Sequence, residues 1–571
     1  MRYISLFGLV ALCGLADAGH AEEVLIRTKD GATLSAIVER PQTTGRVPTV
    51  FEFTIYANPE QAHVACAELA GRGYAGVIAY TRGKYQSPDA IVPYEHDGAD
   101  ARAVLDWIVR QPWSDGRVGM VGGSYSGFTA WAAAKHRHPA LKAIAVSAAA
   151  IPGQGWPMVN NVFINPNYAW SFYVTNNKLL DDAVDADNRR SRKLPFDWFA
   201  SGRPYRELDA VDGTPNPLLQ RWLRHPSFDG YWQDMVPYGN EFARIDIPVL
   251  TITGYYDDAQ ISALQYFKEH VARARDPEHY VVIGPYDHLG THAGQKPAEL
   301  RGYTLDPVAQ MDSHALKLGF MDYVLSGKPK PALLADRVNY EMMGANEWRH
   351  ARSLEAMHGI PMRLYFSAQK DGDLYSLANR QPPSGSRIVH EVDLADRVKL
   401  HNFNAYPGQI VQGPLRYITE SIFATTPFEA ATSIAGEFAG ELVLTVNKKD
   451  FDLGVTVFES HPDGTLFHLA TALQRASYAD PGKRKLLTPG KEHRLRFTTG
   501  LVARKMQPGA RLLVLVDVNK NPMAQINYGT GKDVSDESIE DAGEPLKLEI
   551  LGGSYLEVPL DNAIAKPTAA R

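Results

Sequence analysis

The pattern of apolar segments predicts three parts: an α/β domain with a parallel sheet, a helical cap inserted into it, and a C-terminal β-sandwich. Strand-like and helix-like segments alternate over residues 22–150 and again over 244–340, which is typical of a parallel sheet with helical crossovers. The insert, residues 151–243, has few strand-like segments and many aromatic side chains. Over residues 341–571, short strand-like segments follow one another with turn signals between them, which favours a sandwich.

The N-terminus has the features of a secretory signal peptide over residues 1–21. Arg2 supplies a positive charge, an apolar stretch follows over residues 4–15, and Ala18 and Ala21 offer two cleavage sites. We therefore expect a periplasmic or secreted protein that does not insert into a membrane once the signal is removed. The alternative is an apolar N-terminal helix of a cytosolic protein.

Cysteine content and charge exclude several classes of site. After signal cleavage only Cys66 remains of the 2 cysteines, so neither an intrachain disulfide nor a cysteine-based metal site is expected. The net charge of −6 is small for 571 residues, and the basic segment 189–193 follows an acidic one at 181–187, which indicates a solvated surface and no nucleic-acid site. No P-loop, dinucleotide fingerprint or HExxH motif is present. We expect a small-molecule partner and no cofactor or metal, and a homo-oligomer stays open.

The segment Gly122-Gly-Ser-Tyr-Ser-Gly is the most informative part of the sequence. It follows the apolar segment 118–121 and precedes a segment of helical character at 128–136. A strand, a glycine-flanked serine and a helix in this order form the context of a nucleophile elbow, where small neighbours permit a sharp turn that exposes Ser124. The alternative is a glycine-rich turn with a solvent-facing serine.

A serine nucleophile needs a base, and the base needs an acid that orients it. In α/β-hydrolases the acid and then the histidine follow the serine along the chain. The strand-like segments 247–253 and 280–283 end just before Asp257 and His288, where parallel sheets place reactive groups. Three neighbours stay open as alternatives, Asp258 for the acid and His292 or His279 for the base.

An oxyanion hole requires two donors that face the developing charge on the carbonyl oxygen. The backbone N–H of Tyr125, directly after the serine, is the expected first donor. The second usually comes from the loop after the third strand, predicted here over residues 49–55. No HGGG-type run is present there, so the Tyr56 hydroxyl is the natural substitute. The alternative is that Tyr56 is a rim aromatic without a role.

Seven segments occur in the order that is typical of a known family: Tyr56 after its strand, 111–119, GGSYSG, 225–232, 254–257, 284–288 and 519–528. With them the chain resembles the cocaine-esterase-like acyl esterases, which are related to the X-prolyl dipeptidyl peptidases and the α-amino-acid ester hydrolases. The resemblance implies Ser124 as nucleophile, His288 as base and then acid, and Asp257 as the orienting acid. It also implies an oxyanion hole of Tyr56 and Tyr125, and a jelly-roll topology for the sandwich.

Departures from the related families favour a substrate without an α-ammonium group. The α-amino-acid ester hydrolases add a carboxylate cluster for that group, with two acids at the second and third positions after the triad aspartate. Those positions are Ala259 and Gln260 here, and the region of the third acid, 156–161, has none. An ammonium buried without a counter-charge is costly.

We therefore expect an exported serine hydrolase that cleaves carboxylic esters through an acyl-enzyme. An X-prolyl dipeptidyl peptidase or an amide acylase of the β-lactam type, with the same triad, is the alternative. A binding protein with an inert hydrolase domain is a rival from another class, and the complete set of Ser, His, Asp and Tyr residues argues against it.

Overall fold

The computed structural model describes residues 20–406, 408–415, 419–479 and 482–561. The predicted signal peptide lies outside these residues except for His20 and Ala21, which begin the first strand. Within the described part of the chain, no helix has the length and apolar character needed to span a membrane.

The first part of the α/β domain contains six strands and three helices among the described residues. The strands are β1 (His20–Arg27), β2 (Thr33–Arg40), β3 (Val47–Thr54), β4 (Ala75–Tyr80), β5 (Ser114–Gly123) and β6 (Leu141–Ser147). The helices are α1 (Pro59–Gly71), α2 (Asp97–Ile108) and α3 (Tyr125–Lys135). Every residue of α3 from Tyr125 to Ala134 is buried, because this helix is apolar on all sides and lies against the sheet.

The insert is mainly helical. Its short strands are β7 (Ile151–Pro152), β8 (Gly155–Trp156), β9 (Met158–Val159) and β10 (Val162–Phe163). Its α-helices are α4 (Pro166–Thr175), α5 (Asp182–Ala186), α6 (Leu194–Ser201), α7 (Leu208–Asp212), α8 (Pro217–Trp222) and α9 (Gly230–Gln233). Proline stands in the first turn of α4, α6 and α8, where its missing N–H has no intrahelical acceptor to lose.

The second part of the α/β domain completes a ten-stranded sheet. It contains β11 (Val249–Tyr256), α10 (Gln260–Arg273), β12 (His279–Asp287), β13 (Glu299–Leu300), β14 (Tyr303–Thr304), α11 (Ser313–Ser326), β15 (Val338–Met342) and β16 (Glu347–Ala351). The strand order is β1-β2-β4-β3-β5-β6-β11-β12-β15-β16. The pairs from β4 to β15 are parallel, so β5, β11 and β12 end at the same edge of the sheet.

The C-terminal part is built from strands. They are β17 (Met362–Asp371), β18 (Leu374–Ala378), β19 (Arg387–Val392), β20 (Val411–Gln412), β21 (Ser421–Ala424), β22 (Thr432–Val446), β23 (Asp452–Ser460), β24 (Leu466–Arg475), β25 (His493–Met506), β26 (Arg511–Val518), β27 (Leu546–Leu551) and β28 (Tyr555–Val558). Among these strands, neighbours pair antiparallel except β18 and β21. The three parts agree with the fold class predicted from the sequence.

Gln260, at the start of α10, joins the α/β domain to the sandwich. Its side-chain oxygen accepts a hydrogen bond from Leu501 N at 2.7 Å, and its amide donates to Leu501 O at 3.0 Å and to Gly254 O at 2.9 Å. Gln260 is buried, so these bonds satisfy backbone groups that would otherwise lose their partners. The residue at this position therefore holds the sandwich against the end of β11.

Candidate active site

Ser124 lies at the sharp turn between β5 and α3, with φ 57° and ψ −118°. A positive φ at a residue with a side chain is strained and persists only where its surroundings enforce it. Glycines make the turn possible, because a Cβ on Gly122 would lie 2.4 Å from Ser126 O and one on Gly127 would lie 2.9 Å from Ala149 Cα. The turn has the geometry of the predicted nucleophile elbow, and its tight packing requires glycine at both positions.

The imidazole of His288 contacts the serine on one side and carboxylates on the other. His288 Nε2 lies 2.9 Å from Ser124 Oγ, and Nδ1 lies 2.9 Å from Asp257 Oδ1. His288 follows β12 and Asp257 follows β11, which are parallel neighbours in the sheet. The structure thus brings together the three residues predicted as nucleophile, base and acid.

Both candidate acids reach the same nitrogen of His288. Asp258 Oδ1 also lies 2.9 Å from Nδ1, but the two carboxylates differ in their surroundings. Asp257 is buried, and it accepts hydrogen bonds from Thr253 Oγ1 at 2.8 Å and from Ala259 N at 3.0 Å. The Asp258 side chain is 61% exposed. Asp257 is therefore the better anchored of the two.

The rival bases have other partners. His292 Nδ1 lies 2.7 Å from Ser147 Oγ, and its ring packs edge-on against His288 with centroids 5.1 Å apart. His279 lies in the core, where its ring nitrogens pair with Thr251 Oγ1 at 2.9 Å and His270 Nδ1 at 3.1 Å. Burial lowers the pKa of both His292 and His279 well below the usual range, which keeps both rings neutral.

Both predicted oxyanion donors belong to residues that lie next to Ser124 in the structure. Tyr56 Oη lies 3.4 Å from Ser124 Oγ and accepts a hydrogen bond from Trp170 Nε1 at 3.3 Å. Tyr125 is the first residue of α3, so its backbone N–H has no intrahelical acceptor and carries the positive end of the helix dipole. The backbone of Tyr125 and the hydroxyl of Tyr56 thus both border the reactive serine.

The Tyr125 side chain anchors the elbow from behind. Its hydroxyl donates to the carboxylate of Asp97, with both oxygens at 3.0 Å, and accepts from Tyr94 N at 2.8 Å. Asp97 is buried, and burial raises its pKa to about 8. Asp97 could not be predicted from the sequence, because nothing in its position at the start of α2 indicates contact with a residue of α3.

A cavity of about 1350 Å³ opens beside Ser124. The insert contributes Trp156 and Trp170 to its wall, together with the carboxylate of Asp182. Asp258 lines the same cavity. The cavity is therefore aromatic on the side of the insert, and its wall includes three carboxyl side chains, those of Glu52, Asp182 and Asp258.

Two groups of side chains among the described residues bring three metal-ligating atoms within 4.8 Å of one another: His390, His401 and Asp517 in the sandwich, and Asp257, Asp258 and His288 beside Ser124. In the sandwich, Asp517 Oδ1 lies 2.6 Å from His390 Nε2 and 3.0 Å from His401 Nδ1. These are hydrogen-bond distances, so the three side chains serve as hydrogen-bond partners for one another. The absence of a metal or cofactor requirement stays a prediction.

Fold and site geometry together are those of the α/β-hydrolase class. Residues 30–290 match the model of the X-Pro dipeptidyl-peptidase (S15) family, and residues 334–548 match the model of the X-Pro dipeptidyl-peptidase C-terminal non-catalytic domain. The cocaine esterase of Rhodococcus sp. (strain MB1 Bresler) is 25% identical over 565 residues, which cover 91% of this chain and 94% of that protein. The chain belongs to the family of hydrolytic enzymes that comprises cocaine-esterase-like and X-Pro-peptidase-like members, as the sequence predicted.

Solved structures share the fold over nearly the whole chain. An α-amino acid ester hydrolase matches with a TM-score of 0.78 at 20% identity, over 98% of this chain and 99% of that one. An aminopeptidase from the marine sediment archaeon Thaumarchaeota archaeon matches with a TM-score of 0.78 at 19% identity, over 96% and 98%. The predicted fold class is confirmed, and the activity is of the serine ester hydrolase or X-Pro peptidase type.

The packing of the elbow predicts the effect of Gly123→Ala. A Cβ there would lie 2.3 Å from His292 Nδ1, and His292 in turn packs against His288. We expect kcat to fall on the order of 10- to 100-fold, because small displacements of reacting groups are costly. The measurement is ester hydrolysis alongside thermal unfolding. Gly71→Ala is the control, since a Cβ there meets nothing within 4 Å, and equal rates for the two variants would contradict this account.

Proposed function

We propose that this protein is an exported serine hydrolase that cleaves carboxylic esters through an acyl-enzyme. Ser124 is the nucleophile, His288 the general base and then acid, and Asp257 the orienting acid, while Tyr56 and Tyr125 donate to the oxyanion. The observation that carries the proposal is the 2.9 Å contact between Ser124 Oγ and His288 Nε2. The predicted signal peptide supports a periplasmic or secreted location.

In the acylation half, Ser124 Oγ attacks the acyl carbonyl while its proton passes to His288 Nε2. Asp257 accepts the Nδ1 hydrogen, which leaves Nε2 free to take that proton. The carbonyl oxygen becomes an oxyanion, to which the Tyr56 hydroxyl and the Tyr125 N–H donate. When the carbon–oxygen bond to the alcohol breaks, His288 returns the proton to the leaving oxygen, and the acyl group stays on Ser124.

In the deacylation half, water takes the position that the alcohol has left. His288 Nε2 removes a proton from the water as it attacks the ester carbonyl of the acylated Ser124. The second tetrahedral intermediate collapses, His288 protonates Ser124 Oγ, and the carboxylic acid leaves. The same residues act in both halves, so the proposed catalytic cycle is complete without a cofactor.

Two features bear on the choice between an ester and an N-terminal dipeptide. Gln260 is buried and bonded to Leu501, which supports the expectation that this position does not bind a substrate ammonium. Asp182 and Asp258, however, line the cavity, and carboxylates there suit a cationic substrate. X-prolyl dipeptidyl peptidase activity, which acts on a free N-terminus, is therefore the second candidate.

A substrate panel separates the two candidates. It contains short-chain acyl, benzoyl and α-aminoacyl nitrophenyl esters and a Gly-Pro anilide. We expect cleavage of the neutral acyl esters with the highest kcat/KM. A preference for the α-aminoacyl ester or for the Gly-Pro anilide would instead favour the peptidase and place the ammonium beside Asp182 and Asp258.

Ser124→Ala and His288→Ala should each lower kcat by a factor on the order of 10⁶, because the members of a triad act as one unit. The measurement is the rate on the best ester of the panel. Ser191→Ala is the matched control, since Ser191 also lines the cavity but lies in the insert. Near-full activity in either triad variant would overturn the assignment.

Tyr56→Phe should lower kcat by about 10² to 10³, the effect of losing one oxyanion donor. Trp170→Phe removes the N–H that the Tyr56 oxygen accepts and keeps an aromatic ring at this position, so we expect about a tenfold loss, the size of one neutral hydrogen bond. If Trp170 acts through Tyr56, the double variant should be no slower than Tyr56→Phe alone. An unchanged rate in Tyr56→Phe would leave this tyrosine without a catalytic role.

A further inference from the structure

Two carboxylates approach the same nitrogen of His288, and the one of Asp257 has hydrogen-bond geometry. His288 Nδ1 lies 2.9 Å from Asp257 Oδ1 and 2.9 Å from Asp258 Oδ1. One carboxylate is enough to orient an imidazole, and Asp257 already has this position, buried and held by Thr253 and Ala259. Asp258 is therefore a second acidic partner whose presence the orientation of His288 does not require.

We propose that Asp258 is a second positioning carboxylate for His288, which holds the imidazolium together with Asp257 and thereby sets the pH at which His288 becomes a base. The inference rests on the proposed function, because it needs His288 to act as the base. The two carboxylates have different roles. Asp257 fixes the orientation of the imidazole, whereas Asp258, at the cavity wall, changes how readily the imidazolium loses its proton.

The charges around His288 support this assignment. Burial by itself lowers the pKa of the imidazole, but Asp258 and Asp257 outweigh that effect and hold the pKa well above its usual range. From its own loop, His288 faces His292, which burial keeps neutral. The two carboxylates from the end of β11 are thus the charges in direct contact with the ring.

Other charged groups lie near the site but are not in direct contact with His288. Lys317 of α11 donates to Ser147 Oγ at 3.3 Å, and Ser147 Oγ lies 2.7 Å from His292 Nδ1, so this cation is linked to His292 through Ser147. Asp182 lines the cavity from the insert. Asp182 is therefore the matched carboxylate for a control, since it shares the cavity with Asp258 but is not a hydrogen-bond or ion-pair partner of His288.

The sign of the effect follows from the role of His288. A general base must be neutral, so the rate rises with pH as the imidazolium loses its proton, with a midpoint above about 6.5 when carboxylates stabilise the imidazolium. Removing the charge of Asp258 destabilises the imidazolium and moves the midpoint to lower pH. We expect a shift on the order of one pH unit, the lower end of the range for a neighbouring charge, because Asp258 is partly in water.

Salt provides a second readout of the Asp258 charge. The Asp258 side chain is 61% exposed and that of Asp257 is fully buried, so added salt screens Asp258 far more than Asp257. Raising NaCl from about 0.05 M to about 1 M should therefore lower the midpoint of the wild-type protein. The midpoint of Asp258→Asn should move much less.

The experiment measures the second-order rate of inactivation by a fluorophosphonate as a function of pH, which reports the base without a natural substrate. The proteins are the wild type, Asp258→Asn, Asp182→Asn and Asp257→Asn. We expect Asp258→Asn to shift the midpoint down, Asp182→Asn to keep the wild-type midpoint, and Asp257→Asn to lose most of the rate at every pH, by about 10⁴.

Each contrary outcome has a definite meaning. A midpoint that is the same in Asp258→Asn and the wild type overturns the inference, and so does a loss in Asp258→Asn as large as that in Asp257→Asn, which would make Asp258 the orienting acid. Failure of the fluorophosphonate to modify Ser124 in the wild type would overturn the proposed function as well. Modification of Ser124 with an unmoved midpoint leaves the proposed function standing and removes the role of Asp258 alone.

Discussion

The strained backbone of Ser124 is the constraint on which the rest of the site depends. A positive φ at this residue is held by hydrogen bonds on both sides, since Ser124 N donates to Ser147 O at 2.9 Å and Ser124 O accepts from Phe128 N at 3.1 Å and Ala150 N at 3.3 Å. Helix α3, buried along its length, prevents the turn from relaxing. Because the turn is fixed, the Ser124 side chain and the first N–H of α3 keep a constant position relative to the ends of β11 and β12.

Around this turn, each part of the chain supplies a different component. The α/β domain supplies the serine, the imidazole and its carboxylates, and the insert reaches in through the indole N–H of Trp170, which is bonded to Tyr56. The sandwich supplies none of Ser124, His288 and Asp257, but Leu501 binds Gln260 three residues after Asp257, which steadies the loop that carries the acids. The arrangement explains why cavity and catalytic groups come from segments far apart in the sequence.

The sequence predicted those components that the parallel sheet itself positions. Asp257 and His288 follow neighbouring strands, so their proximity is a consequence of strand order, and the glycines of the elbow indicate the turn directly. The contact of Asp258 with His288 and the bond from Trp170 to Tyr56 could not be predicted. Each depends on how a side chain is oriented in a loop or an inserted helix, and the pattern of apolar residues does not indicate that orientation. The same holds for Gln260, whose partner Leu501 lies in another domain. The expected leader lies outside the described residues except for His20 and Ala21, and it stays a prediction.

The most direct test of the central claim is to locate the covalent adduct of a fluorophosphonate by peptide mass mapping after stoichiometric inactivation. The account predicts one adduct per chain, on Ser124, and protection of that residue by an ester substrate. An adduct on a different residue, or full activity in a protein whose Ser124 is modified, would contradict it.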